Sequence, residues 1–386
     1  MPAARLHRRP WPLGREARRA PRPSSWIFRA RPLPQPDQVR TLFVPVLCPL
    51  GDTLFATPAL RALRRRFPRA EVTALAWASN AELLRGHPAV DRLWVAESPL
   101  DLAHWLVTCQ EARFDLAVGL SNAGSWLAAF SGARWRTGFG AQSLGLFYNL
   151  PAPDRRDVHA VDYALAVARA TGAEPEEEAT PDVHPSPADR RWARRFERRF
   201  RRPGRPLVAL HPGGRFFPQK RWPAASFARL ARELEERRGA RLVVVGGADD
   251  AAAGEEIVAA LARREDGCNL AGRLGLLRTA ALLARVDLFV GNDSSPLHLA
   301  AAVGTPTLAL FGPTDPRNFA PRGERHRLLR AGLECSPCIH WMGGAREYLA
   351  SRRYQEEAPA ECMLRITPER VLAEAEAQLE RWGLKG

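Results

Sequence analysis

From Thr41 onward, short apolar runs alternate with segments of helical periodicity, a pattern that restricts the chain to α/β folds built on parallel sheets. Residues 41–47 read as a buried strand, with Pro45 expected toward its end. Cys48-Pro-Leu-Gly-Asp52 follows, and then Leu54, Ala59, Leu60, Leu63 and Phe67 recur at helical spacing. The strand–turn–helix unit repeats at 72–76 with 80–85, 93–95 with 99–111, and 114–119 with 122–130. Prolines between 151 and 206 break the rhythm, and helices over 158–171 and 187–201 are expected to bridge to a second domain. There the alternation restarts: strands at 207–210, 241–245, 286–290 and 307–311, and helices at 222–238, 250–264, 275–284 and 295–303.

The fold class is therefore α/β, with two doubly wound domains facing across a cleft. Residues 39–185 form the first and 186–366 the second. A helix over 367–386 is expected to pack back on the first. In such sheets ligands sit beyond the carboxyl ends of the strands, so the loops after strands are where chemistry is sought.

Length and charge narrow the classes. At 386 residues the chain exceeds what one hydrophobic core organises. No apolar run approaches the roughly 20 residues that span a bilayer, and no secretory signal is visible, so a cytoplasmic location is expected. Six cysteines are too few for a disulfide scaffold. The net charge of +15 suggests nucleic acid, but the first forty residues hold ten arginines against two acids, roughly half of the excess. Residues 1–38 also carry eight prolines and read as a basic disordered arm, or as sequence upstream of the true start. No nucleic-acid partner is expected.

Four loops could carry chemistry. In Leu50-Gly51-Asp52-Thr53, Asp52 is either a general base facing the cleft or a helix cap. His211-Pro-Gly213-Gly214 is followed by Arg215, Lys220, Arg221 and Trp222, and glycine amides beside a cation hold phosphate well. Lys220 stands out because the chain has only one other lysine, Lys385. In Val290-Gly-Asn-Asp293-Ser294-Ser295-Pro-Leu-His298, a strand ends, a serine caps and a helix begins, which makes an anion site. Asp293 there suits sugar hydroxyls or backbone amides, and His298 is either a phosphate ligand or a packing histidine. Gly246-Gly-Ala-Asp249-Asp250 offers carboxylates for ribose hydroxyls or a helix cap.

Cys335-Ser-Pro-Cys338, with Cys362 and His340, is a conceivable zinc set, but the spacing matches no finger and ordinary thiols are the better reading. No metal site and no cofactor are expected. Arg61, Arg64, Arg65, Arg66 and Arg69 form a polar helix face that, with Arg134 and Arg136, is placed to attract an anionic acceptor or a membrane surface.

These loops, in this order, resemble glycosyltransferase family 9, the heptosyltransferases of lipopolysaccharide core assembly. The resemblance rests on Gly51-Asp-Thr-Leu-Phe-Ala-Thr-Pro-Ala-Leu60, His211-Pro-Gly-Gly with Lys220-Arg-Trp-Pro223, Gly291-Asn-Asp-Ser-Ser-Pro-Leu-His-Leu-Ala300 and Phe311-Gly-Pro-Thr-Asp-Pro316. It spans roughly residues 40–380, and Arg134-Trp-Arg-Thr-Gly-Phe and Cys335-Ser-Pro-Cys look most like the members that add the second heptose. The chain departs from the family in having Ser295 in place of a glycine, and Gly343-Gly344 where a further cysteine is common.

The resemblance implies a GT-B fold, with a nucleotide-sugar, ADP-heptose foremost, on the second domain and an anionic lipid-linked core oligosaccharide on the first. It implies peripheral contact with the inner membrane. Asp52 would deprotonate the acceptor and Lys220 would neutralise the diphosphate. Gly213, Gly214, Asp249, Asp293, Ser294, Ser295 and His298 would hold the donor, and Arg61, Arg64, Arg134 and Arg136 the acceptor. Another nucleotide-sugar donor, or a GT-B-fold sugar epimerase, are the alternatives. A nicotinamide dehydrogenase is disfavoured because the three-glycine fingerprint is missing.

Overall fold

The computed structural model describes residues 31–139, 144–153, 158–214, 217–338 and 359–383. Arg215, His340 and Gly343-Gly344 lie outside the described residues, as does most of the expected arm. Residues 31–38 run along the first domain: the Trp135 indole N–H donates to the Pro32 carbonyl at 3.1 Å, and Pro34 is buried.

In the first domain, strands β1 (Thr41–Val46), β2 (Glu71–Trp77), β3 (Arg92–Ala96), β4 (Leu116–Gly119) and β5 (Trp135–Gly138) form a sheet of order β3-β2-β1-β4-β5, and every pairing is parallel. The helices are α1 (Leu50–Arg66), α2 (Ala81–Leu84), α3 (Leu102–Ala112), α4 (Asn122–Phe130) and α5 (Ala160–Arg169). Pro45 sits inside β1 rather than at its end. Its carbonyl faces β4, accepting from the Leu120 N–H, and only Leu42 and Phe43 pair in register with β4, so the missing N–H interrupts nothing. Pro58 lies inside α1, where it orphans the Leu54 carbonyl. The Thr57 hydroxyl donates to that carbonyl at 2.8 Å and accepts from the Asp182 N–H at 3.0 Å, so the defect anchors the interdomain segment.

The second domain carries β6 (Leu207–His211), β7 (Arg241–Val244), β8 (Gly267–Asn269), β9 (Leu288–Asn292), β10 (Thr307–Leu310) and β11 (His326–Leu329) in the order β11-β10-β9-β6-β7-β8, again all parallel. Its helices are α6 (Pro187–Phe200), α7 (Ala224–Arg238), α8 (Ala251–Ala259), α9 (Leu276–Leu283), α10 (Ser295–Ala302), α11 (Pro316–Phe319), α12 (Glu361–Leu364) and α13 (Pro368–Trp382). Read within the domain, this is the dinucleotide-binding order, and its switch point lies between β6 and β9. The architecture is the GT-B arrangement implied by the sequence.

Three expectations change. The two central helices do not bridge: α5 packs on α1, and α6 packs on α9 in the second domain. The expected docking of the last helix on the first domain is wrong, because Val371, Leu372, Ala375 and Leu379 of α13 join the second domain's core with Phe227, Leu230 and Leu234 of α7. Strands β5, β8 and β11 were not anticipated.

The domains meet along an apolar seam, with Leu54 and Leu83 of the first sharing a buried cluster with Leu277 and Leu297 of the second. Glu82 of α2 crosses it to cap α9, its carboxylate accepting from the Leu276 and Leu277 N–H groups at 2.9 and 3.2 Å. Asn318 Nδ2 donates to the Val158 carbonyl at 3.0 Å, and Arg322 pairs with Asp162 across the same seam.

Candidate active site

The loop after β1 is held from two neighbouring strand ends. Asn80, just before α2, donates its amide to the Cys48 carbonyl and to Thr53 Oγ1, and Ser121, which caps α4, accepts from the Leu47 N–H at 2.9 Å. Pro49 takes the N-cap position of α1, and no side chain caps that helix. Asp52 is therefore not the cap. It lies in the first turn, pointing its charge into the cleft near the positive end of the helix. Burial pushes its carboxyl up to about 6, against the pull of the His298 and Lys220 charges and with a small push from Asp293. A carboxyl so placed is ionised at neutral pH yet basic enough to take a proton.

Across the cleft, the loops after β6 and β9 flank the switch point. Asn292, the last residue of β9, fastens them together: its Nδ2 donates to the Pro212 and Gly213 carbonyls at 3.0 Å each, and its Oδ1 accepts from the Trp222 N–H at 3.0 Å. Lys220 Nζ stands 2.9 Å from Asp293 Oδ2, and His298 Nε2 is 3.5 Å from Asp293 Oδ1. Burial works against the charge on Asp293, but Lys220 and then His298 overcome it and hold the carboxyl well below the usual carboxylate range. His298 is buried, and its ring packs edge-on at 4.7 Å from Phe55 of α1 while Nε2 faces Asp293, as the packing reading expects. Ser294 occupies the N-cap of α10 with extended backbone, and its side chain makes no cap hydrogen bond. The start of α10 thus faces the cleft, and a Cβ built on Gly51 would lie 3.5 Å from the His298 ring.

The structure brings together Asp52, Lys220, Asp293 and His298, with Ser294 and Ser295 beside them. Gly213 belongs to the set through its carbonyl, and Gly214 accepts from Arg221 Nε at 3.2 Å. Asp249 does not join: it is exposed, and its neighbour Asp250 turns inward, where the Gly247 N–H donates to it at 2.8 Å and His211 Nε2 lies 3.4 Å away. A Cβ on Gly213 would fall 2.0 Å from Asp250 Oδ1, so only glycine permits this approach.

The four arginines expected for the acceptor are not in the cleft. Arg61 and Arg64 lie nine and twelve residues along α1 from Asp52, about 14 and 18 Å away at the helical rise. Both are engaged, Arg61 by Asp182, Glu176 and the Thr180 carbonyl, and Arg64 by Asp91 and the Ala70 carbonyl. Arg136 is buried, donating to the Phe147 and Ala133 carbonyls at 2.9 and 2.5 Å, and burial lowers its pKa. Arg134 precedes β5, at the amino edge of the sheet, with its guanidinium 4.2 Å from the Trp135 ring centroid. Asn80, Ser121 and Asn292 were missed as site-building residues, and all three sit within two residues of a strand end or in the loop after one.

Cys335 and Cys338 are exposed and Cys362 is buried, its thiol pushed up by burial and then by Cys338. His87, Asp182 and His184 cluster where the segment leading to the second domain passes the loop after α2, at distances a metal could span. However, the Ala89 N–H donates to His87 Nδ1 at 3.1 Å, which puts the ring proton on Nε2, aimed at Asp182. His184 Nε2 hydrogen-bonds Asp182 Oδ2 at 2.5 Å and Arg61 pairs with the same carboxylate, while His87 Nε2 stands 3.3 Å from it.

Comparison with known proteins agrees with this geometry. The family described as glycosyltransferase family 9 (heptosyltransferase) matches residues 108–346. Lipopolysaccharide heptosyltransferase 2 of Escherichia coli K12 is 29% identical over 353 residues, covering 86% of this chain and 96% of that one. The solved structure of E. coli ADP-heptose lipopolysaccharide heptosyltransferase II superposes with a TM-score of 0.70 at 26% identity, over 89% of this chain and 99% of that chain. A family 9 glycosyl transferase from Veillonella parvula shares the fold with a TM-score of 0.74 at 22% identity, over 89% and 98% of the two chains.

Proposed function

The chain belongs to glycosyltransferase family 9, and on that premise we propose that it transfers heptose from ADP-heptose to the lipopolysaccharide inner core. The observation that supports this reading is the meeting of Asp52 from one domain with Lys220, Asp293 and His298 from the other, near enough that the latter three alter the proton affinity of Asp52.

In this reading the donor's diphosphate lies against Lys220 and the start of α10. The acceptor hydroxyl attacks the anomeric carbon as the bond to the diphosphate breaks, Asp52 takes the hydroxyl proton and ADP departs, with inversion of configuration. Negative charge grows on the leaving oxygens where a cation and helix amides already point, so these groups supply the stabilisation that a divalent ion otherwise would. Closure of the two domains over the cleft would exclude the water that competes with the acceptor. The acceptor is the anionic, lipid-linked core oligosaccharide, reached at the cytoplasmic face of the inner membrane.

The test is acceptor-dependent ADP release by the full chain, with EDTA present and absent. ADP-heptose should be turned over and UDP-, GDP- and dTDP-sugars left unchanged. Isomerisation of a UDP-sugar without acceptor would instead establish an epimerase.

A further inference from the structure

Two successive cations follow the glycine loop after β6, and the backbone sends them to opposite sides of that strand. Lys220 reaches toward β9, where Asp293 holds it at 2.9 Å. Arg221 turns toward β7, the other neighbour of β6 in the sheet. Its Nε donates to the Gly214 carbonyl at 3.2 Å, and its Cγ lies 3.3 Å from where a Cβ on Gly214 would stand. Asp250, in the loop after β7, feels its charge. Burial works against the ionised form of Asp250, but His211, the Gly247 N–H and Arg221 together hold that carboxyl below the usual carboxylate range.

The two cations also differ in what they leave free. Lys220 has a carboxylate partner, whereas Arg221, half-buried, forms no ion pair among the described residues. A guanidinium anchored through Nε keeps its outer N–H groups for an anion from outside, and its fork suits phosphate oxygens. The Pro212 and Gly213 carbonyls are taken by Asn292 and the Gly214 carbonyl by Arg221 itself, so the loop does not offer these oxygens to the incoming group.

A nucleoside diphosphate laid across this edge has its sugar-bearing phosphate at Lys220, on the side where Asp52 meets it, which leaves the nucleoside-bearing phosphate toward β7. The strand order agrees, since sheets of this order hold the ribose at the end of the second strand, here β7. We infer that Arg221 is a donor-binding residue that grips the nucleoside-side phosphate, while Lys220 serves the sugar-side one. The inference rests on the proposed function and deepens it: two cations on either side of β6 fix which way round the donor lies and match a diphosphate better than a monophosphate.

The test is calorimetric titration of the full chain with ADP and with AMP, which carries the nucleoside-side phosphate alone. Arg221→Gln places an amide N–H where Nε stands, so the bond to Gly214 survives, the terminal charge is lost, and the melting temperature without nucleotide should match wild type. This variant should bind both nucleotides more weakly by the same factor, roughly ten- to a hundredfold, the range for one charged hydrogen bond. Lys220→Ala with Asp293→Asn, which removes the other cation together with its carboxylate, should weaken ADP and leave AMP as in wild type. AMP affinity unchanged in Arg221→Gln, or lost as fully in the Lys220→Ala, Asp293→Asn variant, would overturn the inference while wild-type ADP binding left the proposed function standing. A wild-type chain that binds neither nucleotide would overturn both.

Discussion

Lys220 Nζ donates to Asp293 Oδ2 at 2.9 Å, so the cation best placed for a leaving diphosphate already has a buried carboxylate partner. Asp293 thus holds the ammonium in position before any donor arrives.

Lys220→Ala should therefore lower turnover about 100- to 1,000-fold, the usual loss for one preorganised donor. It should also destabilise the fold, because Asp293 is left with His298 alone. Adding Asp293→Asn should restore the melting temperature without restoring turnover. Steady-state kinetics and calorimetry on the two variants separate these effects.

Asp52 contributes to a pH-dependent stability of opposite sign to that of an ordinary salt-bridged carboxylate. Its folded proton affinity is raised, from an ordinary value of 3.8 to about 6, so the favourable contribution is complete below about pH 4 and is lost as pH rises through 6. Asp52→Asn should consequently be more stable to unfolding than wild type at pH 7.5, by roughly 1–3 kcal/mol at about 1.4 kcal/mol per tenfold change in proton affinity. At pH 4 the two proteins should melt nearly alike.

Arg136 of β5 and Arg134 just before it should behave as structural and neutral respectively, not as acceptor ligands. Arg136→Ala leaves the buried Ala133 carbonyl and the part-buried Phe147 carbonyl without these donors and should cost about 1–3 kcal/mol in denaturant unfolding. Arg134→Gln should change neither stability nor acceptor KM appreciably.

Those arginines mark where sequence reading stopped. The strand-end loops were legible, since Gly51-Asp52, His211-Pro-Gly-Gly and Asp293-Ser294-Ser295 each end an apolar run with turn-forming residues. The pairing of Arg61 was not, because Asp182 returns to it from 121 residues away. Neither was the choice between Asp249 and Asp250, which depends on the turn at Gly246-Gly247 and not on spacing. Strand β5 was hidden because Trp135-Arg-Thr-Gly138 reads as a basic turn unless Arg136 is known to be buried.

The seam between the domains should loosen in acid. His159 Nδ1 accepts from the Val161 N–H and Nε2 faces the Ala320 carbonyl at 3.1 Å, so the ring is held neutral. Burial, aided by Arg322, lowers its pKa to about 4. Its contribution is full above about pH 6.5 and lost as pH falls through 4. Small-angle scattering should show the radius of gyration increasing over that interval, and starting at higher pH in Glu82→Ala, which lacks the cross-domain cap.

The most direct test of the account is single-turnover transfer from ADP-heptose by Asp52→Asn, with ADP affinity measured in parallel by calorimetry. Transfer should fall by at least about 100-fold, the scale of general-base catalysis, while ADP binds as to wild type. Transfer at the wild-type rate would contradict the assignment of Asp52 and the cross-cleft chemistry built on it.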